Sequence, residues 1–242
     1  MSTAPGRLVL IACALASVTP APARVASAQG VFDMGALTNT MAQGAIVNSE
    51  RDRARRIKGG RRPRRPVVNK SVLLYKPNLA ARKRNLALFA ASIEKVDPTS
   101  AKSLRAAFAK GDIIAEAGKA MRAAGLNTNN LADAMSAYLV NAWHGTRGST
   151  DGTKAQFRAV SNQLAEVVAS TPALARTSNA VKQQAAEGMI LNALLVDATV
   201  SNAKKNPSTM PAVRAAVGQG ARAAFGFDLT MLNLGANGLS KK

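Results

Sequence analysis

The sequence predicts an all-α protein. It reads as a single bundle-like domain of six or seven helices, following a signal peptide and a disordered basic linker. Three observations carry this. From Pro77 onward, apolar residues recur at helical spacing. No stretch alternates in the manner of a half-buried strand. Aromatics are few, at 4%, so Leu, Val, Ile, Met and abundant Ala must fill the core, and Ala lets helices approach closely.

The first helix carries the stripe Leu79, Leu86, Phe89, Ala90 and Ile93. Asp97-Pro98 stops it and starts the next, with Asp97 as N-cap and Pro98 in the first turn. Leu104, Ala107 and Phe108 follow on one face. Gly111-Asp112 opens a third helix lined by Ile113, Ile114, Ala117 and Met121, with Gly125 as its stop. The Asn-rich run 126–130 offers N-caps for Leu131, Met135, Tyr138, Leu139 and Ala142. Residues 144–153 read as a Gly/Ser/Thr surface loop. Phe157, Val160, Leu164, Val167 and Val168 make the next stripe, broken at Thr171-Pro172. A helix near 178–205 is apolar on most sides over 189–196, which suits a central position. Asn206-Pro207 ends it. Val213, Val217, Ala221, Ala224 and Phe225 line the last helix.

The expected organisation is a signal peptide over 1–28, a low-complexity, Arg-rich disordered region over 29–75, the all-α domain over 76–230, and a frayed C-terminal tail over 231–242. Arg7 precedes the apolar run 8–18, Pro20 and Pro22 break it, and Ala26-Ser27-Ala28 supplies an A-x-A cleavage site. Cleavage between Ala28 and Gln29 then gives a protein exported to the periplasm or beyond the cell. A competing reading takes Leu10-Ile11-Ala12-Cys13 as a lipobox, with Cys13 lipidated. Cleavage after Ala28 removes that single Cys and leaves no thiol chemistry. The apolar run is short of the roughly 18 residues a membrane span needs.

Charge is distributed unevenly. The chain holds 33 Lys+Arg against 13 Asp+Glu, a net +20. Nine cations (Arg51, Arg53, Arg55, Arg56, Lys58, Arg61, Arg62, Arg64 and Arg65) fall within residues 49–66, interrupted by Gly59-Gly60 and Pro63. Like charges at this density keep a chain extended. Such a segment suits polyanions, and export directs it to anionic envelope surfaces rather than to a specific nucleic acid. The aromatic ladder that stacks single-stranded bases is missing, with Tyr75 alone in this region. Residues 67–75, bracketed by Pro66 and Pro77, read either as an extended segment lying on the domain or as a linker end.

Site chemistry is sparse. His144 is the only His, so with Cys13 removed a typical zinc site, which needs about four N, S or O ligands, is not expected. The simplest reading of His144 is a helix-end side chain facing the last carbonyls. Tyr138, Trp143 and His144 could alternatively line a cleft of an enzyme or small-ligand binder. Asp197 stands out as an acid in an apolar neighbourhood, expected to be buried and satisfied by an Arg or a helix N-terminus. Glu187, ten residues earlier, lies on a similar face but about 15 Å away along a helix, too far for a paired-acid site. Gly218-x-Gly220-x-x-Ala223 matches a dinucleotide fingerprint in letters, but without a preceding strand it reads as close helix packing. No catalytic residue, metal or cofactor is therefore expected. The leading expectation is a non-enzymatic interaction or structural protein with a basic arm.

The stretches 76–89 (KPNLAARKRNLALF), 130–148 (NLADAMSAYLVNAWHGTRG) and 185–200 (AAEGMILNALLVDATV) resemble a family of uncharacterised secreted bacterial proteins. The resemblance spans roughly residues 75–228. It implies a signal peptide, a low-complexity N-terminal region and a helical C-terminal domain, and it implies no activity.

Overall fold

The structure, a computed structural model, describes residues 69–242. These are predominantly helical, and the all-α prediction holds. The helices are α1 (Leu79–Glu94), α2 (Pro98–Lys110), α3 (Ile113–Ala123), α4 (Leu131–Gly145), α5 (Lys154–Ala169), the single turn α6 (Pro172–Ala175), α7 (Asn179–Lys205) and α8 (Met210–Phe225). The signal peptide, Cys13, the Ala28/Gln29 junction and the cations Arg51–Arg65 lie outside the described residues.

Side chains set most helix starts. Asn78, Asp97, Asp112, Asn130 and Ser178 each accept a hydrogen bond from a first-turn N–H. At α5 the arrangement is a full capping box: Thr153 accepts from Gln156 N–H, and Gln156 accepts from Thr153 N–H. Gly226, at φ 75°, closes α8 in the left-handed conformation.

The central helix is α7, 27 residues long, or about 40 Å. It packs against α1, α3, α4 and α8. Contacts fix the directions. Asn78 and Arg82 of α1 meet Gln183 and Glu187 of α7. Asn141 of α4 donates to the Ala193 carbonyl, and Gly145 sits on Val196 and Val200. Both α1 and α4 therefore run parallel to α7. By contrast α5 runs antiparallel to α4, since Asp133, Ser136 and His144 of α4 meet Ser161, Phe157 and Gln156 of α5 in turn. Phe89, Leu104, Ile114, Leu131, Met135, Leu139, Leu164 and Phe225 are fully buried between these helices.

Small residues set the closest approach. A Cβ added at Gly145 would lie 2.8 Å from Val196 Cγ1 and 3.1 Å from Val217 Cγ1, the point where α4, α7 and α8 meet. Gly145→Ala gains up to about 1 kcal/mol of helix propensity but overpacks this junction. The expected net loss in urea denaturation is about 1–2 kcal/mol. A stabilised variant would refute the packing argument.

Three expectations require correction. The tail over 231–242 is not frayed. It forms an antiparallel hairpin, β1 (Leu232–Gly235) and β2 (Gly238–Lys241), with Leu232 and Leu239 buried. Its two-residue loop is Ala236-Asn237, flanked by the paired Gly235 and Gly238 that end β1 and open β2. Gly238 is at φ 94°, and a Cβ there would meet Gln163 Oε1 at 2.5 Å. Second, residues 69–75 belong to the fold rather than to a disordered region. Lys70–Leu73 forms a 3-10 turn, Leu73 and Tyr75 are buried, and the Tyr75 N–H and hydroxyl donate to the carbonyls of Asn129 and Thr128. Third, Leu79 is 67% exposed. It is the first residue of α1, in line with Leu86 and Ile93, so its exposure reflects its place at the helix end rather than its face.

Candidate functional site

The described residues contain two concentrations of polar chemistry. The first joins α1, α3 and α7. Glu187 is completely buried, and its carboxylate accepts from Arg82 Nε at 2.8 Å, Asn85 Nδ2 at 2.7 Å and Gln183 Nε2 at 2.9 Å. Arg82 also donates to Asp112 Oδ2 at 2.5 Å, and Asp112 caps α3. Burial alone would depress the Arg82 guanidinium, but its bonds to Glu187 and Asp112 prevail and hold it above its ordinary value. Burial, reinforced by nearby Glu187, pushes the Tyr75 phenol up despite the opposing charge of Arg82. Gln183 exchanges two further bonds with the Asn78 backbone. No fully enclosed side-chain nitrogen or oxygen of this group lacks a partner, which makes it a structural staple. Its members Arg82, Asn85, Asp112 and Gln183 were not anticipated. The available signal was a polar triad, Arg82, Asn85 and Ser92, recurring within the buried stripe of α1.

The second concentration lies at the C-terminal end of α4 and includes the three residues expected to share a cleft. Trp143 and His144 meet edge to face with ring centroids 5.0 Å apart, but the three side chains hydrogen-bond or pack to different partners. Tyr138 is buried with its ring 5.4 Å from that of Phe225. Trp143 donates through Nε1 to the Leu232 carbonyl of the hairpin. Arg147 stacks 3.6 Å over the Trp143 ring and donates to the carbonyls of Trp143, Leu229 and Leu232. Arg214 donates to the Thr146 carbonyl. The last carbonyls of α4 are thus covered by two arginines rather than by His144, which corrects the helix-end reading of that residue.

His144 turns instead to the start of α5. Its Nε2 lies 3.1 Å from Gln156 Oε1, the oxygen that also accepts from Thr153 N–H. An amide oxygen only accepts, so Nε2 carries the proton and Nδ1 of the neutral ring keeps a lone pair. Burial pushes the imidazole below its ordinary value, assisted by Arg147 and Lys204 and opposed by the Gln156 bond and Asp151.

Asp197 shares two of these charged neighbours. It is 5% exposed, and burial raises its carboxyl to about 6, with Lys204 lowering it and Asp151 raising it. The expectation of a satisfied buried acid fails: no hydrogen bond or ion pair holds this carboxylate among the described residues. No fully enclosed side-chain oxygen or nitrogen lacks a partner, so the Asp197 oxygens must touch solvent. The loop 146–153 joins α4 to α5. It is held by Lys204 Nζ donating to Thr150 Oγ1 at 3.1 Å, by Ser149 donating to Asp151, and by Gly148 and Gly152 seated against Met210 and Phe157. Gly218 and Gly220 lie inside α8, where an added Cβ would meet Thr146 and Tyr138 only at ordinary contact distance.

Among the described residues, no group of three or more His, Cys, Asp or Glu side chains could hold a metal ion. No helix there is long and apolar enough to cross a membrane.

These features define an all-α domain built on one long central helix, stapled by a buried ion-pair network and closed by a C-terminal hairpin. The chain belongs to a family of unknown function, DUF6683, whose family model matches residues 5–242. No curated protein and no solved structure matches it.

Proposed function

We propose that this is an exported, non-enzymatic protein of the bacterial envelope, in which the helical domain serves interaction or structure and residues 49–66 form a basic arm that binds anionic surfaces. The observation that carries this reading is the partition of charge. Residues 69–242 hold 22 Lys+Arg and 10 Asp+Glu over 174 positions. Residues 49–66 hold nine cations and two acids over 18 positions. Within the domain, Arg82, Arg105 and Lys119 are matched by acids, and Arg147 is engaged by carbonyls. Cations near an anionic lipid surface contribute about 1 kcal/mol each, and salt screens the attraction.

Vesicles containing phosphatidylglycerol should retain the chain at about 50 mM salt and release it at about 500 mM. Deleting residues 49–66 should abolish retention at low salt. Equal retention without the arm would overturn the proposal. Mass spectrometry of the native protein should find Gln29 at the N-terminus, and an intact Met1 species would overturn the export assignment.

A further inference from the structure

We propose that the domain docks on an anionic lipid bilayer by one end, the end where α1, α4 and α7 begin, with Leu74, Leu79 and Val181 entering the headgroup layer. This rests on the reading of the basic arm given above and adds a second contact and an orientation to it. Direct contacts tie that end together. Asn78, the N-cap of α1, donates its N–H to Gln183 Oε1 at 2.9 Å, and its carbonyl accepts from Gln183 Nε2 at 2.8 Å. Gln183 lies near the start of α7. Asn130, the N-cap of α4, forms a β-bridge with Leu74, and the Tyr75 N–H donates to the Asn129 carbonyl at 3.1 Å. Counting back along both helices from the Asn141–Ala193 bond puts Leu131 level with Gln183. The three parallel helices therefore turn their N-termini, the positive ends of their dipoles, to the same side.

The surface of that end is both apolar and cationic. Leu74 is 46%, Leu79 67% and Val181 39% exposed, half of the six large apolar side chains that stand exposed among the described residues. Apolar side chains gathered in this way mark a contact surface. Lys70, Lys76, Lys83 and Arg84 are exposed around them, and no acid pairs with any of the four among the described residues. Lys83 stands one turn from Leu79 on the same side of α1. No Asp or Glu occurs from Arg53 to Ile93, so the charge of the arm continues onto this surface without interruption. Two acids lie toward the same end, Asp133 on α4 and Glu166 on α5, and neither is free. Asp133 accepts from the Ser161 hydroxyl and the Asn127 N–H, and Glu166 is also engaged.

That pairing of chemistries selects the occupant. A soluble polyanion offers charge but no apolar layer for three aliphatic side chains. An anionic bilayer offers both: headgroup phosphates for the Lys and Arg heads, whose stems lie along the apolar boundary, and an acyl edge for Leu and Val. Three such side chains partition weakly alone, so the arm supplies attraction and the end of the domain supplies orientation.

The test uses the chain beginning at Gln29, the form that cleavage after Ala28 produces. At about 50 mM salt, vesicles of phosphatidylglycerol should slow amide exchange over residues 74–82 and 179–182. Exchange over 146–153, beyond the far end of α4, should not change. Phosphatidylcholine vesicles should protect neither region. Replacing Leu79→Gln and Val181→Gln together keeps the arm and every charge, and retention on phosphatidylglycerol should fall about tenfold or more. Both positions are exposed, so the fold should survive, which thermal denaturation checks. Unchanged exchange at this end, retention of the double variant equal to wild type, or equal protection by phosphatidylcholine would each overturn the docking end. Deleting residues 49–66 tests the arm separately, because Leu74, Leu79 and Val181 stay in place. Undiminished retention in that deletion overturns the arm, whereas retention that depends on the arm while the end stays unprotected overturns only the docking end.

Discussion

Replacing Glu187 with Ala should cost about 3–5 kcal/mol of stability, the largest loss expected from any single polar substitution in the domain. The magnitude follows from what the carboxylate leaves behind. Arg82 Nε, Asn85 Nδ2 and Gln183 Nε2 all donate to Glu187, which is fully buried. Its removal strands three donors, one of them on a cation. Asp112 retains one end of Arg82 but is itself partly exposed and engaged in capping α3. A second variant separates the pair from its parts. Replacing Arg82 and Glu187 together by apolar residues of similar volume should recover much of the loss, because a buried pair is costly mainly when one partner remains. Urea titration of both variants measures this. A Glu187→Ala loss below about 1 kcal/mol would show that solvent replaces the missing acceptor.

The opposite sign is expected at Asp197. Its carboxyl lies at about 6 in the folded protein, above the ordinary 3.8. An acid raised on folding contributes stability that is fully present below the unfolded value and is lost as pH rises through the folded value. The wild-type protein should therefore lose up to about 3 kcal/mol from this group between pH 4 and pH 7. Asp197→Asn should flatten that segment of the profile. It should exceed wild type by about 1–3 kcal/mol at pH 8 and roughly equal it at pH 4. Equal destabilisation at both pH values would mean that the carboxylate has a partner after all.

The helices were readable because three kinds of local signal agreed: apolar spacing, Asn, Asp or Ser caps, and Pro or Gly stops. Asp97-Pro98 and Gly111-Asp112 act as read, since each Asp accepts from the first turn of the helix that follows it. The hairpin was less visible. Its strands are four residues each, and most of their fit comes from α5 and α4 through Gln163 and Trp143 rather than from the strands themselves. The site was legible only as isolated residues. Asp197 and His144 were each notable in sequence, but nothing in their spacing shows that both are influenced by the charges of Asp151 and Lys204. Nor does sequence reveal that Arg147 would displace His144 from the helix end, because that depends on the position of the hairpin carbonyls. The parallel course of α1, α4 and α7 is a tertiary property, with partners drawn from opposite ends of the domain.

That parallel course also governs when the molecule can become native. Arg82 and Glu187 are separated by 105 residues, as are Asn78 and Gln183. At synthesis rates of about 5–20 residues per second, α1 waits about 5–20 seconds for its acceptor. Throughout that interval Arg82 and Asn85 have no buried carboxylate, and the apolar face of α1 has no central helix to cover it. Every shorter nascent chain lacks the staple, so commitment to the fold falls late, once α7 has emerged. Under the export proposed above, such a delay would keep the chain from folding before it crosses the membrane.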